Sequence, residues 1–429
     1  MIVARLAPST DRLRCVRPER FPRSAAAVLV VALMGKLPVA GALAQQASIE
    51  LGRRALVEHG CVLCHDAPGI ARPSVAQSCT GCHQALLRRQ RPGLGSRPRV
   101  RHFVEVPDLA HAAARLRPDY LARYLERPHD VRPRLEEAMP RLPVTAERAR
   151  AIVAYLRAQV GPPRLEAAPA PSPANVDAGR AVFVRACASC HAFGNLDPGF
   201  RLPAAAIAAL GPAATLAPNL RFVRDRMDPG VALAVIVDPT AVHPAARMPR
   251  PSISRQEAIA VRDFLYLGDA GRPAAPPQPP PAWTSLPMPS RRVGFDDVRR
   301  IFQRSCVHCH AHSTDAAAAS AFGFDATALD LASYEGVLAG VRLPDGRRRS
   351  VLAPGPDGVP PLLARLLRRH EEAVRDVVPE GHDTLAPAFP QSNAASAGAM
   401  APGMPLALPP LPLSDVGVVA AWIRGGTPR

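Results

Sequence analysis

Eight cysteines fall into four copies of one pattern: Cys61-Val-Leu-Cys64-His65, Cys79-Thr-Gly-Cys82-His83, Cys187-Ala-Ser-Cys190-His191 and Cys306-Val-His-Cys309-His310. C-x-x-C-H is the spacing by which a c-type haem is attached. Two thiols three positions apart can each add to one vinyl group of a porphyrin, and the adjoining His is then held beneath the iron as its proximal ligand. The pattern predicts four haem c groups bound through these eight cysteines, with His65, His83, His191 and His310 on iron. Cys15, the ninth cysteine, belongs to the N-terminal stretch.

Two other chemistries use paired cysteines. Exported pairs form disulfides, yet a disulfide needs no His after every second Cys. Cys61 to Cys82 also runs C-x2-C-x14-C-x2-C, close to a zinc-ribbon spacing. Zinc would leave His65 and His83 idle, and the other two motifs stand alone. Three haems beside a degraded or metal-binding second motif is therefore the alternative count.

The elements that carry these motifs repeat. Two Pro-rich stretches, 161–175 and 271–290, divide the chain into segments of 47–160, 176–269 and 291–429. Each segment opens with a short helix feeding its motif, such as Gly52 to Cys61 or Gly179 to Cys187. Phe183 and Phe302 each lie four residues before the first Cys, one turn back on the same face. A variable middle leads to a Met-Pro dipeptide: Met139-Pro140, Met248-Pro249 and Met404-Pro405. An amphipathic helix closes each segment. In the first, Thr145 caps a stripe of Ala149, Ile152, Val153 and Leu156. In the second, Ser254 and Glu257 spell a capping box. In the third, Ser414 precedes Val418, Val419, Trp422 and Ile423.

This grammar resembles the class I cytochrome c family, in which an N-terminal helix, C-x-x-C-H and a Met-bearing loop precede a C-terminal helix that crosses the first. The third segment, with Leu329-Asp330-Leu331-Ala-Ser-Tyr334-Glu335 and Trp422-Ile423-Arg-Gly-Gly426, is similar to the planctomycete-type cytochrome c domain. The resemblance implies a mainly α chain of three tandem cytochrome c-like domains joined by Pro-rich linkers. The first segment departs from it by carrying a second C-x-x-C-H, ahead of Val106-Pro107-Asp108-Leu109.

A Met/His pair closes the iron and favours electron transfer, whereas an open distal side admits substrate. Met139, Met248 and Met404 are the distal candidates, with Met400, Met227 and His243 as rivals; Met288 lies in the linker. Two haems in the first segment need a further ligand, for which His102 and His111 follow the second motif. His59, His129, His370 and His382 carry less weight, and His308 and His312 are incidental to their motif.

With 429 residues, several domains are expected, and 48% hydrophobic residues exclude wholesale disorder. Aromatics are only 4%, so apolar porphyrins would help to fill the cores. Residues 1–44 read as a secretory signal: six arginines, an uncharged run from Ala25 to Gly35, and Ala42-Leu43-Ala44 for cleavage. An uncleaved anchor is the alternative. Cleavage would remove seven cations and two anions, lowering the net charge from +17 to +12. A periplasmic location removes nucleic acid as a partner for this basic surface. Redox proteins with acidic docking faces fit it, as does peripheral contact with anionic lipid. The expected function is an exported tetrahaem electron carrier. The alternatives are a peroxidase-like or small-donor haem enzyme and the cytochrome subunit of a membrane dehydrogenase.

Overall fold

The computed structural model describes residues 37–88, 106–129, 131–132, 134–135, 137–163, 165–194, 205, 209, 211–271, 280–307, 309–311, 328–343, 345–377 and 402–429. The candidate ligand His102, the rivals Met400 and His382, and also His308 and His312, lie outside them. The chain is mainly α, with one two-stranded hairpin among the described residues. Ser48–Arg429 forms one compact unit. No helix among the described residues is long and apolar enough to cross a membrane.

The first segment holds α1 (Leu37–Glu58), α2 (Cys79–Arg88), α3 (Leu109–Arg115), α4 (Pro118–Glu126) and α5 (Ala146–Val160). Helix α1 begins well before Gly52 and runs unbroken through Ala42-Leu43-Ala44. Its buried Ala55 and Leu56 join Ala149, Ile152, Val153 and Leu156 of α5 in one core. Helices α1 and α5 touch at Gly52, where a Cβ would lie 2.0 Å from the Ala151 carbonyl oxygen. The Thr145 hydroxyl caps α5 by accepting from Arg148 N at 3.3 Å.

The second segment repeats this with α6 (Val176–Ala186), α7 (Pro229–Val237) and α8 (Arg255–Leu267). Both halves of the Ser254–Glu257 capping box form, at 3.2 and 2.8 Å. Phe183 of α6 packs against Phe193 and Phe264, with ring centroids 6.1 and 5.5 Å away. Arg262 and Asp263 are wholly buried and paired at 2.5 Å, and Asn175 donates to Asp263 at 2.7 Å.

The third segment holds α9 (Phe295–Ser305), an antiparallel hairpin of β1 (Val341–Arg342) and β2 (Arg348–Arg349), α10 (Pro361–Val377) and α11 (Leu413–Arg424). Helix α10, in the variable middle, is the longest helix described in the third segment. Helix α11 starts at Leu413 with Pro412 as its N-cap, so Ser414 lies inside it. The indole of Trp422 is fully buried, and its Nε1 donates to Pro428 O at 2.8 Å.

The two Pro-rich stretches behave differently. One continuous apolar cluster runs from Ala55 to Ala270, so the first two segments share a core. The intervening stretch lies along it, with Ala168 packed on the cluster and Glu166 paired to Arg255 at 3.0 Å. The third segment has its own cluster, from Leu286 to Trp422. Leu286, Trp283 and Met288 of the second stretch pack into that cluster, so the third core begins before residue 291. The Arg424 guanidinium sits 4.6 Å above the Trp283 ring and donates to Met288 Sδ at 3.1 Å.

Candidate cofactor sites at the C-x-x-C-H motifs

Three of the motifs share one backbone design. Their first Cys follows the end of a helix, and its carbonyl accepts from both the second Cys and the His. These bonds measure 3.2 and 2.9 Å at Cys61, 3.0 and 2.9 Å at Cys187, and 3.0 and 2.9 Å at Cys306. The turn gathers both thiols and the ring into one patch. Cys187 N and Cys306 N are themselves tied to Phe183 O and Phe302 O, the residues one turn back. The second motif is built otherwise. Cys79–Arg88 is a continuous helix, started by the Ser78 hydroxyl accepting from Gly81 N at 3.0 Å. Spacing along a helix still puts Cys79, Cys82 and His83 on one face.

The rings of two motif histidines are held by carbonyls. His65 Nδ1 donates to Pro107 O at 2.8 Å, and His191 Nδ1 donates to Pro218 O at 3.0 Å. Fixing the proton on Nδ1 leaves Nε2 with its lone pair, the form a metal ligand needs. Burial holds both imidazoles below their ordinary pKa, against the smaller opposing pull of the carbonyls. The segments that supply these carbonyls recur: Pro107-Asp108-Leu109 and Pro218-Asn219-Leu220. Asp108 Oδ1 accepts from Ala110 N at 2.7 Å, and Asn219 Oδ1 from Arg221 N at 3.0 Å and Gly194 N at 2.9 Å. The following leucines donate back to the motif strand, Leu109 N to Asp66 O at 2.9 Å and Leu220 N to Ala192 O at 2.8 Å. Leu329-Asp330-Leu331 does the same in the third segment, Leu331 N reaching His310 O at 2.8 Å.

None of the eight motif cysteines is in a disulfide. Burial pushes Cys61 and Cys187 up to about 11. Thiols of different motifs meet: Cys64 and Cys79 are hydrogen-bonded, which lowers Cys64 and raises Cys79. Cys309 of the third segment lies close enough to act on Cys79 as well. Among the described residues, no three His, Cys, Asp or Glu side chains gather as a chelated ion requires, so the zinc-like spacing of Cys61–Cys82 has no matching cluster.

Residues 127–142, the first segment's Met loop, reach both other segments. Val131 O accepts from Asn219 N at 2.9 Å, and Arg134 Nη1 donates to Cys190 O at 2.6 Å. Ala138 N donates to Ala407 O at 2.9 Å, joining this loop to the one that carries Met404. Met139 packs against the shared core, and Met404 against the third. Helix α10 fixes the second loop: Met404 N donates to Arg365 O at 3.0 Å, and Gly403 N to the buried Glu372 at 2.8 Å. Met248 is half-buried, while its rival Met227 is buried with its carbonyl accepting from Tyr266 at 2.7 Å.

The rival histidines have other neighbours. His111 and His243 pack edge to face on each other at 4.4 Å. His129 is buried among Tyr120, Tyr124 and Phe222, with Nε2 3.2 Å from Tyr120 Oη. His59 meets Arg148 Nη1 at 3.2 Å. His370 lies on α10 with a buried, unbonded Nε2.

At the first and third motifs, two thiols outside any disulfide beside a buried imidazole whose Nδ1 is engaged fit a covalently attached haem. A zinc ion or a disulfide would use only part of this set. Compared with protein-family models, with curated proteins and with solved structures, the chain matches none.

Proposed function

We propose that this chain is an exported tetrahaem c-type cytochrome that relays electrons between redox partners, built of class I cytochrome c-like domains. The observation that carries it is the hydrogen bond between Cys64 and Cys79, with Cys309 near enough to act electrostatically on Cys79. Thioether bonds at those positions would put the edges of three macrocycles side by side, the arrangement a relay needs.

Haem supplies one-electron exchange between ferric and ferrous iron. The chain's own residues do the rest. His65 and His191 present Nε2 because Pro107 and Pro218 hold the opposite nitrogen. Phe183, buried one turn before Cys187, and the buried Leu56 would help to keep water from a haem held there. Met139, Met248 and Met404 would close the sixth position and raise the potentials, while His102 would serve the second motif. The surplus of arginine fits a partner with an acidic docking face.

The test is protein matured with a c-type haem assembly system. Pyridine haemochrome analysis and intact mass count the haems, and optical spectra with carbon monoxide probe the sixth position. Four low-spin haems inert to carbon monoxide support the relay. Three haems would leave Cys79–His83 out, and one high-spin haem that binds carbon monoxide would replace the relay with an enzyme.

A further inference from the structure

Residues 403–408, the loop that carries Met404, lie against helix α10. Arg365, Arg369 and Glu372 recur along that helix at i, i+4 and i+7, which puts them on one face. Each holds the loop at a different point. Gly403 N donates to Glu372 Oε1 at 2.8 Å, Met404 N to Arg365 O at 3.0 Å, and Arg369 Nε to Leu408 O at 2.6 Å. The contact is close, since a Cβ on Gly403 would lie 2.3 Å from Arg369 N. Arg369 and Glu372 are buried and paired with each other at 3.5 Å. Arg368 Nε stands 3.7 Å from the same carboxylate.

A buried ion pair is a poor source of stability, and an apolar pair of similar volume often serves a core as well or better. Leu362, Leu363 and Leu366 already anchor α10 in the third core. What Arg369 and Glu372 add is a donor and an acceptor for the backbone on either side of Met404. Apolar side chains could supply neither. Met404 in turn packs on the same apolar cluster as Cys306, the first thiol of the fourth motif. A thioether brings no charge to an iron, so a Met ligand depends on the supports that keep it in place.

We propose that Glu372, with Arg369, is a positioning residue for Met404. It holds the thioether at the sixth position of the haem on His310, and so keeps that haem's potential high and its iron closed to small ligands. The assignment rests on the proposed function above and adds which residues of α10 hold one of its distal ligands in place. Neither charged side chain is itself on iron.

The experiment uses the full chain matured with haem, in wild-type, Met404→Leu, Glu372→Asp, Glu372→Gln and Glu372→Ala forms. Pyridine haemochrome analysis comes first, and a wild-type protein without haem overturns the cytochrome reading itself. Met404→Leu should lower one redox wave, remove one haem's share of the Met-to-ferric-iron charge-transfer band, and admit carbon monoxide at one ferrous haem. No such change would show that Met404 is not a ligand, and the positioning role falls with it. Glu372→Asp keeps the charge beside Arg369 but is one methylene too short for Gly403 N. It should lower the same wave and weaken the same band. Glu372→Ala should do so more strongly; if it fails to take up haem, the Asp variant decides. Glu372→Gln keeps an acceptor within reach and should retain the band. A purely electrostatic role gives another pattern. Losing a carboxylate would raise the wave in the Ala and Gln forms, because an anion favours ferric iron, and the Asp form would match wild type. That pattern overturns the positioning role, as do an unchanged band and unchanged waves in the Asp and Ala forms with full haem content.

Discussion

Gly179 of α6 presses so closely on Ala260 of α8 that a Cβ at residue 179 would lie 1.9 Å from the Ala260 carbonyl oxygen. The neighbour is backbone and cannot swing aside, so the helices must part to admit even a methyl group. Gly179→Ala should cost on the order of 3 kcal/mol, at the upper end for overpacking. Chemical denaturation of the matured protein measures it, and an unshifted midpoint would refute this account of the crossing.

Cys79 and Cys82 together should account for one haem. The double variant Cys79→Ser, Cys82→Ser should keep the other three, since none of the described side chains of α2 belongs to the shared core. Intact mass should fall by one haem relative to wild type. A full complement of haem would show that the second motif binds none.

His129 should make stability depend on pH. Burial, reinforced by Arg226 and Arg141, lowers its pKa to about 4 from an ordinary 6.5. Between these values the unfolded chain binds more protons than the folded one, so stability declines as pH falls from 6.5 to 4. The loss by pH 4 is about 3 kcal/mol at most. In His129→Gln, which retains an acceptor for Tyr120, the slope across this window should flatten. An identical slope in the two proteins would assign it to other groups.

Asn219 satisfies two backbone donors, Gly194 N and Arg221 N, beside the Pro218 carbonyl that holds His191. Asn219→Ala orphans both and should cost about 2 kcal/mol. Calorimetry reads the stability. Loosened support for His191 should also alter one haem's potential, and a loss of stability with every potential unchanged would separate the turn from the ring.

Trp422→Ala should be among the most damaging changes in the third segment, at about 3–5 kcal/mol. The indole is fully buried beside Phe295 and Tyr334, and its Nε1 bonds to Pro428 O. Because the third segment's core is separate, the early melting transition should belong to that segment alone, as limited proteolysis would show.

Local signals were legible in the chain. Thr145 and the Ser254–Glu257 pair cap the helices their sequence implies, and Phe183 and Phe302 are buried one turn before their cysteines. The proline carbonyls behind His65 and His191 were harder to see, although Pro-Asp-Leu and Pro-Asn-Leu stand in plain text. They lie 42 and 27 residues from their histidines, and no local periodicity spans such a gap. Helix α10 is hard to read from sequence for a related reason. Its buried Arg369 and Glu372 resemble an exposed charged face until the Met404 loop and Leu408 O are brought onto them. The shared core is hidden in the sequence because a Pro-rich stretch reads as a spacer whether it crosses open solvent or lies against a neighbour.

That shared core has a consequence for how such a chain can be rearranged. A genetic breakpoint between residues 160 and 176 would cut through one apolar cluster and expose two unfinished faces, whereas a breakpoint between 270 and 283 would leave each side with a closed interior. The third segment can thus be exchanged as a cassette so long as its Ala407 loop still meets Ala138, while the first two must be inherited together.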